Sequence, residues 1–188
     1  MKVDRKTEIV NCAARLFREK GYSAVTMRDI ATALDIKAAS LYNHISSKQE
    51  ILSLMILSIA REYTVTIREI AASDATSVQK IEAVIYLHID ITAANADALA
   101  SLNNDWMHLP DEHLASFLQM REEYEDIFRQ MVRGGMASGE LARRNSEVVI
   151  FSLLSTLRTL YMWYGRKPNF TPEILREDLR EVLVRGIL

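Results

Sequence analysis

Cysteine, proline and glycine are scarce in this chain of 188 residues, which contains one Cys, three Pro and six Gly. The single Cys12 cannot form an internal disulfide, and its place within a helical pattern predicts a packed thiol rather than a reactive one. So few Gly and Pro residues supply few of the turns that a fold of many strands requires. Because strand-like alternation is also missing and helix-forming residues dominate, the sequence predicts an all-α protein of about nine helices.

Long hydrophobic runs are also missing. The longest apolar stretch, from Ile51 to Ala60, is ended by Arg61 and Glu62, far short of the roughly 20 residues that cross a bilayer. Residues 1–6 contain no apolar signal region. We therefore expect a cytoplasmic protein with no membrane partner.

Charge is unevenly distributed along the chain. Residues 1–50 carry nine Lys/Arg against six Asp/Glu, whereas residues 51–188 carry fourteen against nineteen. A basic N-terminal part followed by an acidic remainder favours an anionic partner for the N-terminal part. Taken alone this signal is weak, since many solvated domains differ by as much.

The sharpest pattern lies in residues 26–45. Thr26 and Asp29 form a predicted capping box at the start of one short helix, and a tight turn leads to a second helix over about residues 37–44. The outer face of the second helix carries polar or small side chains and no acidic one: Lys37, Ala38, Ser40, Tyr42, Asn43 and His44. This arrangement is typical of a helix-turn-helix, whose second helix enters the major groove of DNA.

Three spaced segments, Thr26–Ala31, Ser40–Ile45 and Ser47–Leu52, resemble the N-terminal signature of TetR-like transcriptional regulators. Phe17 and Gly21-Tyr22 also look like the family. The resemblance covers about residues 5–55, and beyond them it consists only of length and helical character. Three positions depart from the family pattern: Asp35 replaces a usual Gly at the turn, Lys37 a usual Ser or Thr cap, and Ile45 a frequent Phe. Asp tolerates a left-handed backbone better than most residues, so we expect the turn to form.

The resemblance implies a DNA-binding role for nine positions. Thr26, Tyr42 and Lys48 look like phosphate contacts, which position the protein on the duplex. The positions at or near base edges are Arg28, Lys37, Ala39, Ser40, Asn43 and His44. Asn suits adenine, and Ala or Ser suits a thymine methyl or a mixed contact. His44 has the alternative of packing against the next helix.

For the remainder, the resemblance implies a ligand-binding domain that dimerises through its last two helices. Independently, the helix over residues 146–165 is apolar nearly all round and the last helix is amphipathic, so the two are suited to an intermolecular four-helix bundle. The alternative is that the first of these helices lies at the centre of its own domain. We expect a helix-turn-helix domain over residues 1–47 and a ligand-binding and dimerisation domain over residues 48–188. A predicted helix over residues 47–71, roughly 37 Å long, joins the two.

Local signals predict where several helices begin or break. Ser47 and Glu50 form a second predicted capping box, at the start of the joining helix. Asn145 and Thr171 are predicted N-caps of the last two helices. The helical pattern breaks at residues 95–97.

Polar or aromatic side chains on otherwise buried faces are the predicted effector contacts: Tyr63, Tyr86, His88, Trp106, Arg121, Tyr124, Phe128, Arg158 and Trp163. The aromatic residues among them have the alternative of belonging to the apolar core, which is the commoner place for an aromatic stripe. Arg158 interrupts the most apolar helix, so it is expected to meet either an acidic side chain or an anionic ligand. The C-terminal segment resembles a branch of the family whose effectors are often acyl-CoA thioesters. We therefore expect an acyl-CoA or other lipid-like effector.

Two other classes compete with a ligand-released repressor that binds a near-palindromic operator as a homodimer. An enzyme is disfavoured because the sequence contains no nucleophile motif, P-loop or zinc spacing, and no His has a Glu three residues earlier, as a di-iron bundle requires. No metal or cofactor is expected. The second alternative is a helical small-molecule-binding protein that does not bind an operator, and the intact recognition segment argues against it.

Overall fold

The computed structural model describes residues 4–164 and 170–188. Within these residues the chain is all-α, with eight α-helices, two single-turn 3₁₀ helices and no strand. The α-helices are α1 Arg5–Lys20, α2 Met27–Ala33, α3 Ala38–Tyr42, α4 Lys48–Ala72, α5 Ser77–Asn104, α6 Asp111–Ser138, α7 Ser146–Thr159 and α8 Pro172–Arg185. The 3₁₀ helices are Trp106–His108 and Leu160–Met162. The fold class predicted from the sequence is confirmed.

Helices α1 to α3 form the predicted helix-turn-helix. The capping box at α2 is confirmed: the Thr26 hydroxyl accepts from the Asp29 backbone N–H at 3.2 Å, and the Asp29 carboxylate accepts from the Thr26 N–H at 2.8 Å. The turn after α2 passes through Asp35 at φ 53°, in the left-handed region. The expectation that Asp would support this turn in place of Gly is therefore confirmed.

Helix α3, the predicted recognition helix, begins at Ala38 and ends at Tyr42. It is therefore shorter than the predicted range of about residues 37–44. Lys37 is its N-cap residue and has extended backbone angles, but its side chain makes no capping hydrogen bond. Lys has no acceptor atom for this purpose, so the helix lacks the cap that Ser or Thr would supply. Asn43 and His44 lie just beyond the last helical turn.

The predicted break at residues 95–97 is confirmed. Helix α5 is kinked there, because Asn95 has non-helical backbone angles (φ −135°, ψ 30°). Counting the parts before and after this kink separately, the described residues contain nine α-helical segments, close to the predicted number. Asn competes for backbone hydrogen bonds and so disturbs a helix locally.

The described chain divides into two compact units. Of the described residues, the first unit, which we call the head, contains residues 4–60 and 97–118, and the second unit contains residues 61–96, 119–164 and 170–188. Helices α4, α5 and α6 each contribute residues to both units. The functional boundary predicted between residues 47 and 48 stays a prediction.

The second unit is built around the buried faces of α5, α6 and α7. Its largest fully buried side chain is Phe128, and Ile85 and Leu157 belong to the same apolar cluster. Gly135 is required for this packing, because a Cβ there would lie 2.7 Å from Leu141 Cδ1. The predicted helix over residues 146–165 ends as an α-helix at Thr159, and Gly165 lies outside the described residues.

Candidate DNA-binding surface, effector site and subunit interface

Eight of the nine predicted DNA contacts are exposed side chains of the first unit: Thr26, Arg28, Lys37, Ala39, Ser40, Tyr42, Asn43 and His44. Tyr42 is 53% exposed at the end of α3, although it is a large aromatic residue. Leu41, next to it, is fully buried and anchors α3 to the head. His44 is exposed, so the alternative in which it packs against the next helix is not what the structure contains.

Lys48, the ninth predicted contact, is bound within the head. Its ammonium group donates to the backbone carbonyls of Tyr22 and Val25, both at 2.8 Å, and lies 4.3 Å from the centre of the Tyr22 ring. Partial burial lowers the pKa of Lys48. Two of its three N–H donors thus hold the loop that leads into α2.

The start of α4 is fixed by a second set of local bonds. As predicted, the Ser47 hydroxyl accepts from the Glu50 N–H at 3.0 Å. The return bond goes to a different residue, since the Glu50 carboxylate accepts from the N–H and hydroxyl of Ser46 at 2.8 and 2.7 Å. These bonds from Ser46, aided by Lys6, lower the pKa of Glu50 to about 2.

Replacing Lys48 with Met should lower the free energy of unfolding by about 1–3 kcal/mol, because two carbonyls lose their donors. The urea midpoint measures this loss. Lys37→Met is the matched control: it removes an exposed lysine of the same head and should leave the midpoint unchanged. An unchanged midpoint for Lys48→Met would show that these two hydrogen bonds do not stabilise the fold.

In the second unit, three of the predicted effector residues form one polar network. His88 Nδ1 lies 3.3 Å from the Tyr63 hydroxyl, and its Nε2 lies 2.9 Å from the Tyr124 hydroxyl. The Tyr63 and His88 rings are 4.7 Å apart. The three residues come from α4, α5 and α6, so the network ties these helices together. We call it the Tyr-His-Tyr network.

Burial keeps the Tyr-His-Tyr network uncharged. Desolvation, with a smaller contribution from Arg158, lowers the pKa of His88 to about 3, and desolvation raises the pKa values of Tyr63 and Tyr124. At neutral pH the network therefore consists of a neutral imidazole and two protonated phenols.

Arg158 meets an acid, one of its two predicted partners. Its Nη2 donates to Glu125 Oε1 at 2.6 Å, and Arg121 donates to the same carboxylate oxygen at 3.3 Å. The Arg158 and Glu125 side chains are half-buried, whereas Arg121 is exposed.

The remaining predicted effector residues are dispersed. Trp106 belongs to the first unit, where it packs against Phe117 at 6.0 Å. Tyr86 lies under the Arg176 guanidinium at 5.7 Å, and Trp163 is exposed. The sequence reasoning missed Thr92, which is buried and has no hydrogen-bond partner for its hydroxyl among the described residues. Its position four residues after His88 was the available signal.

Helices α7 and α8 leave large apolar side chains in solvent. Val148 and Phe151 on α7 are exposed, the latter to 73%, and so are Ile174 and Val182 on α8. Small hydroxyl residues, Ser152, Ser155 and Thr159, share the exposed side of α7. We call this set the α7/α8 apolar surface. A surface of this kind marks a contact with another molecule.

Neither a membrane span nor a metal centre is found among the described residues. No helix there has both the length and the apolar character of a membrane span. Within residues 4–164 and 170–188, no group of three or more His, Cys, Asp or Glu side chains is arranged to hold a metal ion.

Two family descriptions match this sequence and together cover most of it. Residues 9–55 match "Bacterial regulatory proteins, tetR family", and residues 74–187 match "Tetracyclin repressor-like, C-terminal domain". The second match alone extends over more than half of the chain. The HTH-type transcriptional repressor KstR2 of Rhodococcus jostii is 26% identical over 188 residues, which cover 99% of this chain and 92% of that protein.

Solved structures give the same picture of the fold. The ketosteroid transcriptional regulator KstR2 of Mycobacterium tuberculosis aligns with a TM-score of 0.92 at 18% identity, covering 100% of this chain and 96% of that one. AibR in complex with isovaleryl coenzyme A and operator DNA aligns with a TM-score of 0.81 at 21% identity, covering 96% and 98%. At these identities the likeness is one of fold.

Proposed function

Because this chain belongs to the TetR family of bacterial transcriptional regulators, we propose that it is a homodimeric repressor released from a near-palindromic operator by a small-molecule effector. Family membership makes it a DNA-binding regulator and not an enzyme. The operator, the effector and the release are the proposed parts.

The observation that carries the proposal is the exposed polar surface of α3 and its flanks. Tyr42 is exposed, and its hydroxyl is a group that can contact a DNA phosphate. Around it stand Arg28, Lys37 and Asn43, which are exposed and have no acidic neighbour on α3. Cationic groups attract phosphates, and an Asn amide can pair with an adenine edge. Thr26 and Lys48 complete the predicted phosphate contacts.

The α7/α8 apolar surface is proposed as the homodimer interface. Its occupant is a second copy of this chain, since two copies of α7 and α8 would together make a four-helix bundle. The small hydroxyl residues on α7 permit close approach of the helices. Dimerisation would place two α3 helices in successive major grooves, roughly 34–36 Å apart.

The effector is proposed to bind in the second unit and to be an acyl-CoA or another lipid-like molecule. Two observations support this: the apolar interior around Phe128 contains a polar network, and AibR, whose fold this chain shares, forms a complex with isovaleryl coenzyme A and operator DNA. Helix α4 joins that interior to the first unit and is the proposed route of coupling. By linkage, an effector that weakens operator binding is itself bound more weakly by the operator complex, by the same factor.

The test is selection of bound sequences from a random DNA library at about 150 mM salt, which suppresses non-specific phosphate binding. We expect an enriched inverted repeat, and we expect short acyl-CoAs to release the selected duplex in a gel shift. A folded dimer that enriches no sequence would instead favour the small-molecule-binding alternative. An enriched repeat that no acyl-CoA releases would retain the regulator and remove this effector class.

A further inference from the structure

The Tyr-His-Tyr network has three polar hydrogens but only two hydrogen bonds, so one donor is left over. A neutral imidazole has one N–H donor and one acceptor nitrogen, and each tyrosine has one O–H. His88 must therefore donate to one tyrosine and accept from the other. The tyrosine that accepts from His88 keeps its own O–H, and no other partner of the Tyr63 or Tyr124 hydroxyl is seen in the described chain. Either tautomer leaves one phenol O–H unused, which belongs either to the buried Tyr124 or to the partly buried Tyr63.

Thr92 supplies a second unused donor in the same unit. It lies one turn after His88 on α5, and residues four apart share a helix face. It is 1% exposed, and within the described residues its hydroxyl has no hydrogen-bond partner. Buried polar groups are nearly always paired. Two unused donors in one interior therefore point to an acceptor that comes from outside the chain.

The surroundings favour an uncharged acceptor. Arg158, the cation that lowers the pKa of His88, already pairs with Glu125 at 2.6 Å. A carboxylate brought beside the network would be desolvated with no free cation among these groups, which is costly. A carbonyl oxygen has two acceptor sites and no charge. The neighbouring buried side chains, including Ile85, Ile89 and Phe128, suit an apolar body.

We propose that the second unit holds its effector by a carbonyl oxygen, which accepts hydrogen bonds from Thr92 and from the unused tyrosine hydroxyl. The ligand class is an apolar molecule with an uncharged carbonyl group: a thioester, a ketone or an amide. This inference rests on the proposed function in one respect, namely that an effector binds inside this unit.

The first test needs no ligand. Thr92→Val removes an unpaired hydroxyl and keeps the shape of the side chain, so the thermal midpoint of the free protein should equal or exceed that of the wild type. Thr64→Val is the matched control, since Thr64 is also buried, at 3%, and donates to the Met120 carbonyl at 3.5 Å. Its midpoint should fall by about 2–4 °C. An equal fall for Thr92→Val would overturn the proposal, because Thr92 would then have a partner in the free protein.

The second test compares ligands that differ only in the carbonyl oxygen. One pair is hexanoyl-CoA and the thioether S-hexyl-CoA, titrated by calorimetry. The other is methyl hexyl ketone and the alkene in which a methylene group replaces its oxygen, compared by thermal shift. The carbonyl compound of each pair should bind about tenfold more tightly, and Thr92→Val should reduce this preference to about threefold because one donor remains.

The two pairs separate failure of this inference from failure of the effector class. Equal binding of hexanoyl-CoA and S-hexyl-CoA would retain the acyl-CoA proposal and overturn the carbonyl contact. A ketone preference without binding of either CoA compound would support the carbonyl contact and remove the acyl-CoA proposal. If no compound of either pair binds, both are overturned.

Discussion

Replacing Arg28 or Tyr42 with Ala should reduce operator affinity by at least about 30-fold while the protein stays folded and dimeric. A well-placed DNA contact is worth about 1–3 kcal/mol, and in a symmetric dimer each substitution removes two of them, about 2–6 kcal/mol in all. Both side chains are exposed, and neither belongs to the apolar core of the head. Fluorescence anisotropy with the selected duplex measures the loss.

Arg15→Ala is the control for Arg28→Ala. Arg15 is an exposed arginine on α1 in the same unit and is not a predicted contact, so its removal changes the net charge equally. If the two variants lost affinity to the same extent, the overall charge of the head would explain binding and the assignment of Arg28 would be wrong. Tyr42→Ala leaves the charge unaltered, so a normal affinity for that variant would refute the role of Tyr42.

Val182→Asp should convert the dimer to monomers and thereby remove operator binding at nanomolar protein. Val182 is 69% exposed in the isolated chain, so the variant folds, but in the proposed dimer two carboxylates would be buried without partners. The dissociation constant of the dimer should rise roughly a thousandfold. Analytical ultracentrifugation over a concentration series measures it.

A matched valine is available outside the α7/α8 apolar surface. Val65, on α4 in the second unit, is 49% exposed, and Val65→Asp should leave both the dimer and operator binding intact. A dimeric Val182→Asp protein would show that the two copies meet elsewhere. Dissociation of both variants alike would show that Val182 has no special position in the interface.

Local chemistry made much of the fold predictable. The capping boxes depend on residues three apart, and the Thr26 box and the Asn145 and Thr171 caps are all present in the structure. The left-handed turn at Asp35 likewise follows from the tolerance of that residue type. The helix break predicted at residues 95–97 is present as the kink at Asn95, because an Asn side chain competes locally for backbone hydrogen bonds.

The site was less predictable, since its contacts join distant parts of the chain. Lys48 is bound to carbonyls 23 and 26 residues earlier, which a motif read as a phosphate contact cannot reveal. The sequence correctly selected Tyr63, His88 and Tyr124 as polar groups on buried faces. Their hydrogen bonds to one another depend on how α4, α5 and α6 pack. The same packing places Trp106 in the first unit, whereas these three residues belong to the second.

The first unit has a consequence for attempts to transplant it. Residues 97–118 return to the head and bury Leu99, Leu109 and Phe117 there, and the His113 ring bonds the Ser53 hydroxyl at 2.8 Å. A graft cut after Ala60 would leave these apolar partners behind and expose the surface they cover. The head therefore cannot be exchanged as one continuous segment that ends at a linker. Exchanging it between relatives requires two discontinuous pieces of chain, and the second piece lies between parts of α5 and α6 that belong to the second unit.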